Sequence, residues 1–263
     1  MPVLLSVEGP VSTLVLDEPE TRNAITSPEM LEGIITAIED APAETLVLII
    51  TGAGAAFSAG GNIKDMAARR GLFAGTTSEI MEGYRRSIQR MTRAILETDL
   101  ATIAAVNGPA VGAGFDLALG CDLRLGSTGA RFAHTFVDLG IIPGDGGAWL
   151  LPRVVGWQRA AELSFTARMV GAEEAKEMGI LLEVVAPEAL VPRATELAGL
   201  IASKPAHSIR LAKRLLRQAR TMDLSGFLDF SAALQAISHN TEAHREAVGR
   251  LQRNAYGNAT RED

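Results

Sequence analysis

Two hydrophobic periods alternate along the first half of the chain. Leu4 to Val7 and Val11 to Leu16 alternate apolar with polar positions around Glu8-Gly9-Pro10, which predicts a β-hairpin ended by Asp17-Glu18-Pro19. Ser27 then reads as an N-cap with Pro28 at the first helical position. Met30, Leu31, Ile34, Ile35 and Ile38 recur at helical spacing, predicting a helix to about Asp40. Thr45 to Thr51 is a continuous apolar run, the pattern of a strand covered on both faces.

The alternation continues. A glycine-rich loop runs from Gly52 to Gly61, a long helix is predicted from about Ser78 to Glu97, and a buried strand from Thr102 to Val106. After a second glycine-rich turn, Gly112 to Leu119 reads as a short helix, Leu123 to Gly126 as a strand and Ala130 to Ala133 as a short extended piece. Strands and helices alternate to about Val185. From Pro187 onward only helical segments are predicted, at about 187–202, 205–220 and 224–253. The layout is α/β: a core over residues 1–195 and a helical region over 196–263. In the latter, Leu211, Leu215 and Leu216, then Phe227, Leu228, Phe230, Leu234 and Ile237, form apolar faces that either dock on the same chain or meet another subunit.

Composition narrows the class. The chain of 263 residues is 47% hydrophobic and 21% charged, enough to bury a large core. Its net charge of -6 and the lack of any block of five like charges argue against a nucleic-acid footprint or a basic membrane surface. Only Lys64, Lys176, Lys204 and Lys213 are lysines, so phosphate contacts would fall largely to arginine. Cys121 is the one cysteine, which excludes an internal disulfide and a multi-thiolate zinc cage, and its apolar context suits a buried small hydrophobe. No apolar run approaches about 18 residues, and the start of the chain moves straight into strand-like alternation, so a cytoplasmic protein is expected.

Candidate chemistry gathers in two segments, Ala56 to Met66 and Val106 to Leu117, each of which follows a buried strand with glycines and then begins a helix. Small residues let backbone approach a ligand, and amides at a helix start are unpaired with a positive dipole behind them. Two such amides converging on one oxygen make an oxyanion hole. Other motifs fail: Gly52 and Gly54 lack the third glycine of a dinucleotide fingerprint, and no Gly-Lys-Ser/Thr loop or Gly-x-Ser-x-Gly elbow occurs. His239 and His244 are wrongly spaced for a two-histidine zinc helix and read as exposed helix residues; no metal site is expected.

At these segments the chain resembles the crotonase, or enoyl-CoA hydratase/isomerase, family. The likeness is carried by Thr21-Arg22-Asn23-Ala24, both glycine-rich segments, the run Leu139 to Gly147, Leu151-Pro152-Arg153-Val154-Val155-Gly156 and Ser203-Lys204-Pro205. The resemblance implies a spiral of β-β-α units forming two nearly perpendicular sheets, with a helical C-terminal trimerisation region and a homotrimer or dimer of trimers. It implies an acyl-CoA substrate with no tightly bound cofactor, coenzyme A being part of the substrate. The thioester oxygen would be held by the amides of Gly61 and Ala113, and coenzyme A would run past Arg22, Ala24, Ala59, Gly61, Asn62, Ile63 and Lys64. Residues between Met66 and Ile80 would set acyl-chain length.

For the reaction, Asp116 matches the position of a catalytic carboxylate in hydratases and dienoyl-CoA isomerases, and is expected to be the principal acid/base. The second hydratase glutamate is replaced by Phe136, which weakens a two-glutamate hydration and favours a double-bond shift by one carboxylate. Asp145 matches an aspartate used by some relatives, including a carbon-carbon bond hydrolase, and is the expected partner; Asp138 and His134 lie on the same segment. Hydratase and isomerase stay open. So do a noncatalytic acyl-CoA-binding protein, and a thioester or β-diketone hydrolase using water between Asp145 and His134.

Overall fold

A computed structural model describes residues 2–256. The chain divides into two compact units, one ending at Leu200 and one beginning at Ile201. In the first, β1 (Val3–Glu8) and β2 (Val11–Leu16) form the antiparallel hairpin, with Val3 opposite Leu16. The Ser27 side chain accepts from the Met30 amide and opens α1 (Pro28–Glu39), whose Met30, Leu31, Ile34, Ile35 and Ile38 are buried. The β3 strand (Val47–Gly52) follows, with Val47 to Ile50 fully buried. Each large apolar side chain buried there contributes about 1.5–3 kcal/mol, which explains an uninterrupted apolar run in a strand covered on both sides.

Next come α2 (Ile63–Ala67), α3 (Thr77–Arg86), α4 (Ile88–Glu97), β4 (Ala101–Val106), β5 (Pro109–Val111), α5 (Ala113–Gly120), β6 (Leu123–Ser127) and β7 (Arg131–Ala133). A 3-10 turn, Thr135–Leu139, leads to α6 (Gly147–Val155) and α7 (Trp157–Thr166). The unit continues through β8 (Val170–Gly171), α8 (Ala172–Glu177) and β9 (Glu183–Val185), and α9 (Leu190–Ala202) crosses its end. A six-stranded sheet has the order β1-β2-β3-β4-β6-β9, parallel from β2 onward, and a three-stranded sheet has the order β5-β7-β8. In the second unit α10 (Ala206–Gln218), α11 (Leu224–His239) and α12 (Glu242–Tyr256) leave Leu216, Leu224, Leu228 and Ile237 exposed. Among the described residues no helix is long and apolar enough to cross a membrane.

Two predicted helices are broken. The one over 78–97 stops at Ser87, whose hydroxyl bonds the Gly83 carbonyl and whose backbone leaves helical geometry at φ -119°, ψ -92°. The one over 224–253 stops at Asn240 and Thr241, whose side chains donate to the carbonyls of Ala236 and Ser238. Short polar side chains offer the backbone a local alternative, and apolar periodicity does not register it. The α6 and α7 helices are not legible in the sequence, where Gly146, Gly147, Pro152 and Gly156 mask the start, interior and end of α6 and the start of α7.

Candidate functional site

Two loops are laced together by buried polar side chains. Asn23 is fully buried; its amide nitrogen donates to the carbonyls of Ala53 and Ala56 at 2.9 Å and Phe57 at 3.3 Å, while its oxygen accepts from the Glu18 amide. The Ser58 hydroxyl donates to the Asn23 carbonyl and accepts from the Gly60 amide. Asn107 reaches back to Gly52, Gly54 and Ala56 from the second loop. Asn23→Ala leaves several buried carbonyls short of a donor, and each such group costs about 1–3 kcal/mol. The expected loss of stability is roughly 3 kcal/mol, read as a lower urea midpoint with an unchanged slope; an unchanged midpoint would refute this account of the lacing.

That lacing sets the two helix starts side by side. Ser58 and Ala110 form a parallel bridge, with the Val111 amide donating to the Ser58 carbonyl at 2.9 Å. Three residues further along each segment, Gly61 and Ala113 both border one cavity of about 290 Å³. Gly60 makes the approach close: its φ is +77°, and a Cβ there would lie 2.3 Å from the Val111 carbonyl oxygen and 3.0 Å from the Ala113 nitrogen. Among the described residues neither the Gly61 nor the Ala113 amide donates a hydrogen bond. Ala113 is the first residue of α5, so the helix offers its N–H no partner. The end of the Met66 side chain packs against the Gly61 α-carbon and also lines the cavity.

The rest of the lining is mostly apolar. Met66, Leu72 and Phe73 come from the segment expected to set acyl length, and Tyr84, Ile88, Phe136, Leu139 and Ile141 extend the wall. Tyr84 and Ile88 were not singled out in the sequence. They lie on either side of the break at Ser87, and no local pattern signals that both face the cavity. Asp145 and Asp138 are the lining carboxylates; Asp138 is exposed, whereas Asp145 is only 4% exposed. Burial, followed by the nearby Asp116 charge, pushes Asp145 up to about 7. Tyr84 is likewise pushed up, first by burial and then by Asp145.

Asp116, expected to reach the ligand, is not among the lining residues. It is 2% exposed inside the wholly buried α5 and accepts from the Gly147 amide at 2.9 Å. Burial pushes its carboxyl up, while His134 and the Gly147 amide pull it back. His134 is buried as well and is not among the lining residues, with Nδ1 2.9 Å from the Ser164 hydroxyl. Phe136 lines the cavity, and its ring meets that of His134 edge-on with centroids 5.0 Å apart.

The expected coenzyme A residues flank the loop start. The Ala59 amide donates to the Arg22 carbonyl at 2.8 Å and the Ile25 amide to the Gly60 carbonyl, which sets the Arg22-Ala24 stretch against Ala59. Arg22 and Lys64 are exposed, Ala24 is buried, and Ile63 stands 63% exposed at the cavity edge. Asn62 caps α2 by accepting from the Lys64 amide. His239 is exposed and His244 half-buried, and they pair with each other at 3.1 Å; Cys121 is buried.

The chain resembles known proteins along nearly its whole length. It is 34% identical over 249 residues to a crotonyl-CoA hydratase of Syntrophomonas wolfei, covering 94% of this chain and 93% of the relative. It is also 34% identical over 248 residues to a 1,2-epoxyphenylacetyl-CoA isomerase of Escherichia coli, covering 94% and 93%. A crystal structure of a Thermobifida fusca protein described as a putative enoyl-CoA hydratase, in complex with acetoacetyl-CoA, superposes with a TM-score of 0.83 at 30% identity, covering 90% of this chain and 94% of that one. Residues 7–253 match the family described as enoyl-CoA hydratase/isomerase. With its fold, its paired loop amides and this match, the chain belongs to the enoyl-CoA hydratase/isomerase family.

Proposed function

We propose that the chain is an acyl-CoA double-bond isomerase in which Asp145 moves a proton along the acyl chain while the Gly61 and Ala113 amides hold the negative charge on the thioester oxygen. The carrying observation is a cavity with two amides lacking an internal acceptor on one wall and a buried carboxylate pushed up to about 7 on another. A group near pH 7 both takes and returns a proton readily, and preorganised dipoles in a dry site stabilise a dienolate as it forms. Phe136 lines the wall where the resemblance to hydratases would place a second acid, which favours a proton shift over addition of water.

Coenzyme A would pass Arg22, Ala24, Ala59, Gly61, Asn62, Ile63 and Lys64, a path supported by the small Ala59 and Gly61 beside the exposed Arg22 and Lys64. Residues 1–195 would form the acyl-CoA-binding core, and 196–263 would build a homotrimer or dimer of trimers. The exposed Leu216, Leu224, Leu228 and Ile237 support subunit contact. Hydration is the second reading, favoured by the similarity to the crotonyl-CoA hydratase. Purified protein incubated with a 3-enoyl-CoA and, separately, with crotonyl-CoA separates the two. Appearance of conjugated enoyl absorbance from the first supports isomerisation, loss of it from the second supports hydration, and binding without either reaction overturns both.

A further inference from the structure

Behind the cavity wall lies a line of polar groups, two of them fully buried, that no step of the isomerisation touches. Ser164, on α7, pairs its hydroxyl with His134 Nδ1 at 2.9 Å; His134 Nε2 stands 3.5 Å from Asp116 Oδ1; and Asp116 Oδ2 accepts from the Gly147 amide. Asp116 and His134 are each about 1% exposed at the side chain, and both facing atoms lack a hydrogen-bond partner. Buried polar atoms without partners are costly, so a fold that keeps two of them face to face is using them for something other than packing.

The line ends on the backbone that carries Asp145. Gly147 is the first residue of α6, two positions after Asp145, and a Cβ on Gly147 would fall 2.1 Å from Asp116 Oδ1. The Asp116 carboxylate is therefore pressed against the start of α6. From the other side, the Thr92 hydroxyl donates to the Asp145 carbonyl, and Gln89 donates to that of Gly144. We infer that Ser164, His134 and Asp116 form a positioning line that clamps the α6 start and fixes where the Asp145 carboxyl stands, Asp116 being a positioning residue and not itself the proton carrier. This rests on the proposed role of Asp145.

The charged and titratable groups around Asp145 are Asp116 from α5, Tyr84 from α3 and Asp138 from the 3-10 turn, with His134 behind Asp116. The negative charge of Asp116 opposes ionisation of Asp145, so its removal makes Asp145 more acidic. The test is the pH profile of kcat/KM on a 3-enoyl-CoA. Asp116→Asn still offers an oxygen to the Gly147 amide; it is expected to move the acid limb to lower pH, reduce plateau kcat less than about tenfold and leave KM in place. Asp116→Leu, which cannot accept that bond, is expected to lower kcat roughly a hundredfold.

A loss with Asp116→Asn as deep as that with Asp145→Asn overturns the inference by making Asp116 the proton carrier. An unmoved limb with unchanged kcat overturns it the other way. Turnover that survives Asp145→Asn instead defeats the reading of Asp145 itself. If Asp116→Asn does not fold, Ser164→Ala, on a partly exposed position of α7, is expected to reduce kcat severalfold at constant KM; unchanged kcat again overturns the inference.

Discussion

Asp145→Asn is expected to lower kcat on a 3-enoyl-CoA by about a thousandfold, within the range for loss of a positioned acid/base, while KM stays within a factor of a few. Asparagine keeps the shape of the side chain and removes its capacity to take a proton, so binding in the apolar cavity survives and chemistry does not. In the unaltered enzyme the carboxylate form is needed to begin the reaction, so kcat/KM should rise with pH through about 7 and level off above it. Steady-state rates from pH 5 to 9 check both statements; a variant retaining more than a tenth of the rate removes Asp145 from the mechanism.

The same substitution has an opposite effect on stability. The Asp145 carboxyl is raised from an ordinary unfolded value near ~4 to about 7 in the fold. The folded state therefore binds the proton more tightly, and this contribution is fully present below pH ~4 and lost as pH rises through about 7. The loss amounts to as much as ~4 kcal/mol above pH 8. An asparagine carries no such penalty, so Asp145→Asn should melt at a higher temperature than the parent at pH 8, with the gap closing toward pH 4. A site that needs a buried acid near neutrality holds it at the expense of the fold.

Ala113→Pro is the second large effect: turnover is expected to fall by roughly a hundredfold to a thousandfold, about what one oxyanion donor is worth. The choice of residue isolates the backbone N–H. Proline is favoured at the first position of a helix, where its missing N–H costs the helix nothing, and Ala113 holds that position in α5. The melting temperature is therefore expected to change little while turnover collapses. Equal loss of both would mean that the ring disturbs the α5 start, and full activity would mean that the Ala113 amide plays no part in charge stabilisation.

Much of the architecture was legible in one dimension. The hairpin, the Ser27 cap with Pro28, and the unbroken apolar run of β3 each follow from nearest-neighbour chemistry, so periodicity alone predicts them. Ser87, Asn240 and Thr241 were not legible as breaks, because a side chain that bonds its own preceding turn leaves the apolar pattern on either side intact. The α6 helix was hidden for a related reason, since glycine and proline, read locally, oppose a helix that tertiary packing nevertheless enforces.

The candidate site divides in the same way. That Gly61 and Ala113 stand where amides are unpaired is a property of strand-to-helix turns and can be read from the order of residues. That they border one cavity depends on Asn23, Ser58 and Asn107 tying together loops about fifty positions apart, which no local pattern encodes. The ranking of the two aspartates is likewise tertiary. The sequence reads Asp116 as the principal acid and Asp145 as its partner, but a carboxyl's role depends on what surrounds it in three dimensions. Here Phe136 closes the wall against His134, the Gly147 amide takes up one oxygen of Asp116, and Asp145 is left as the buried carboxyl that faces the cavity.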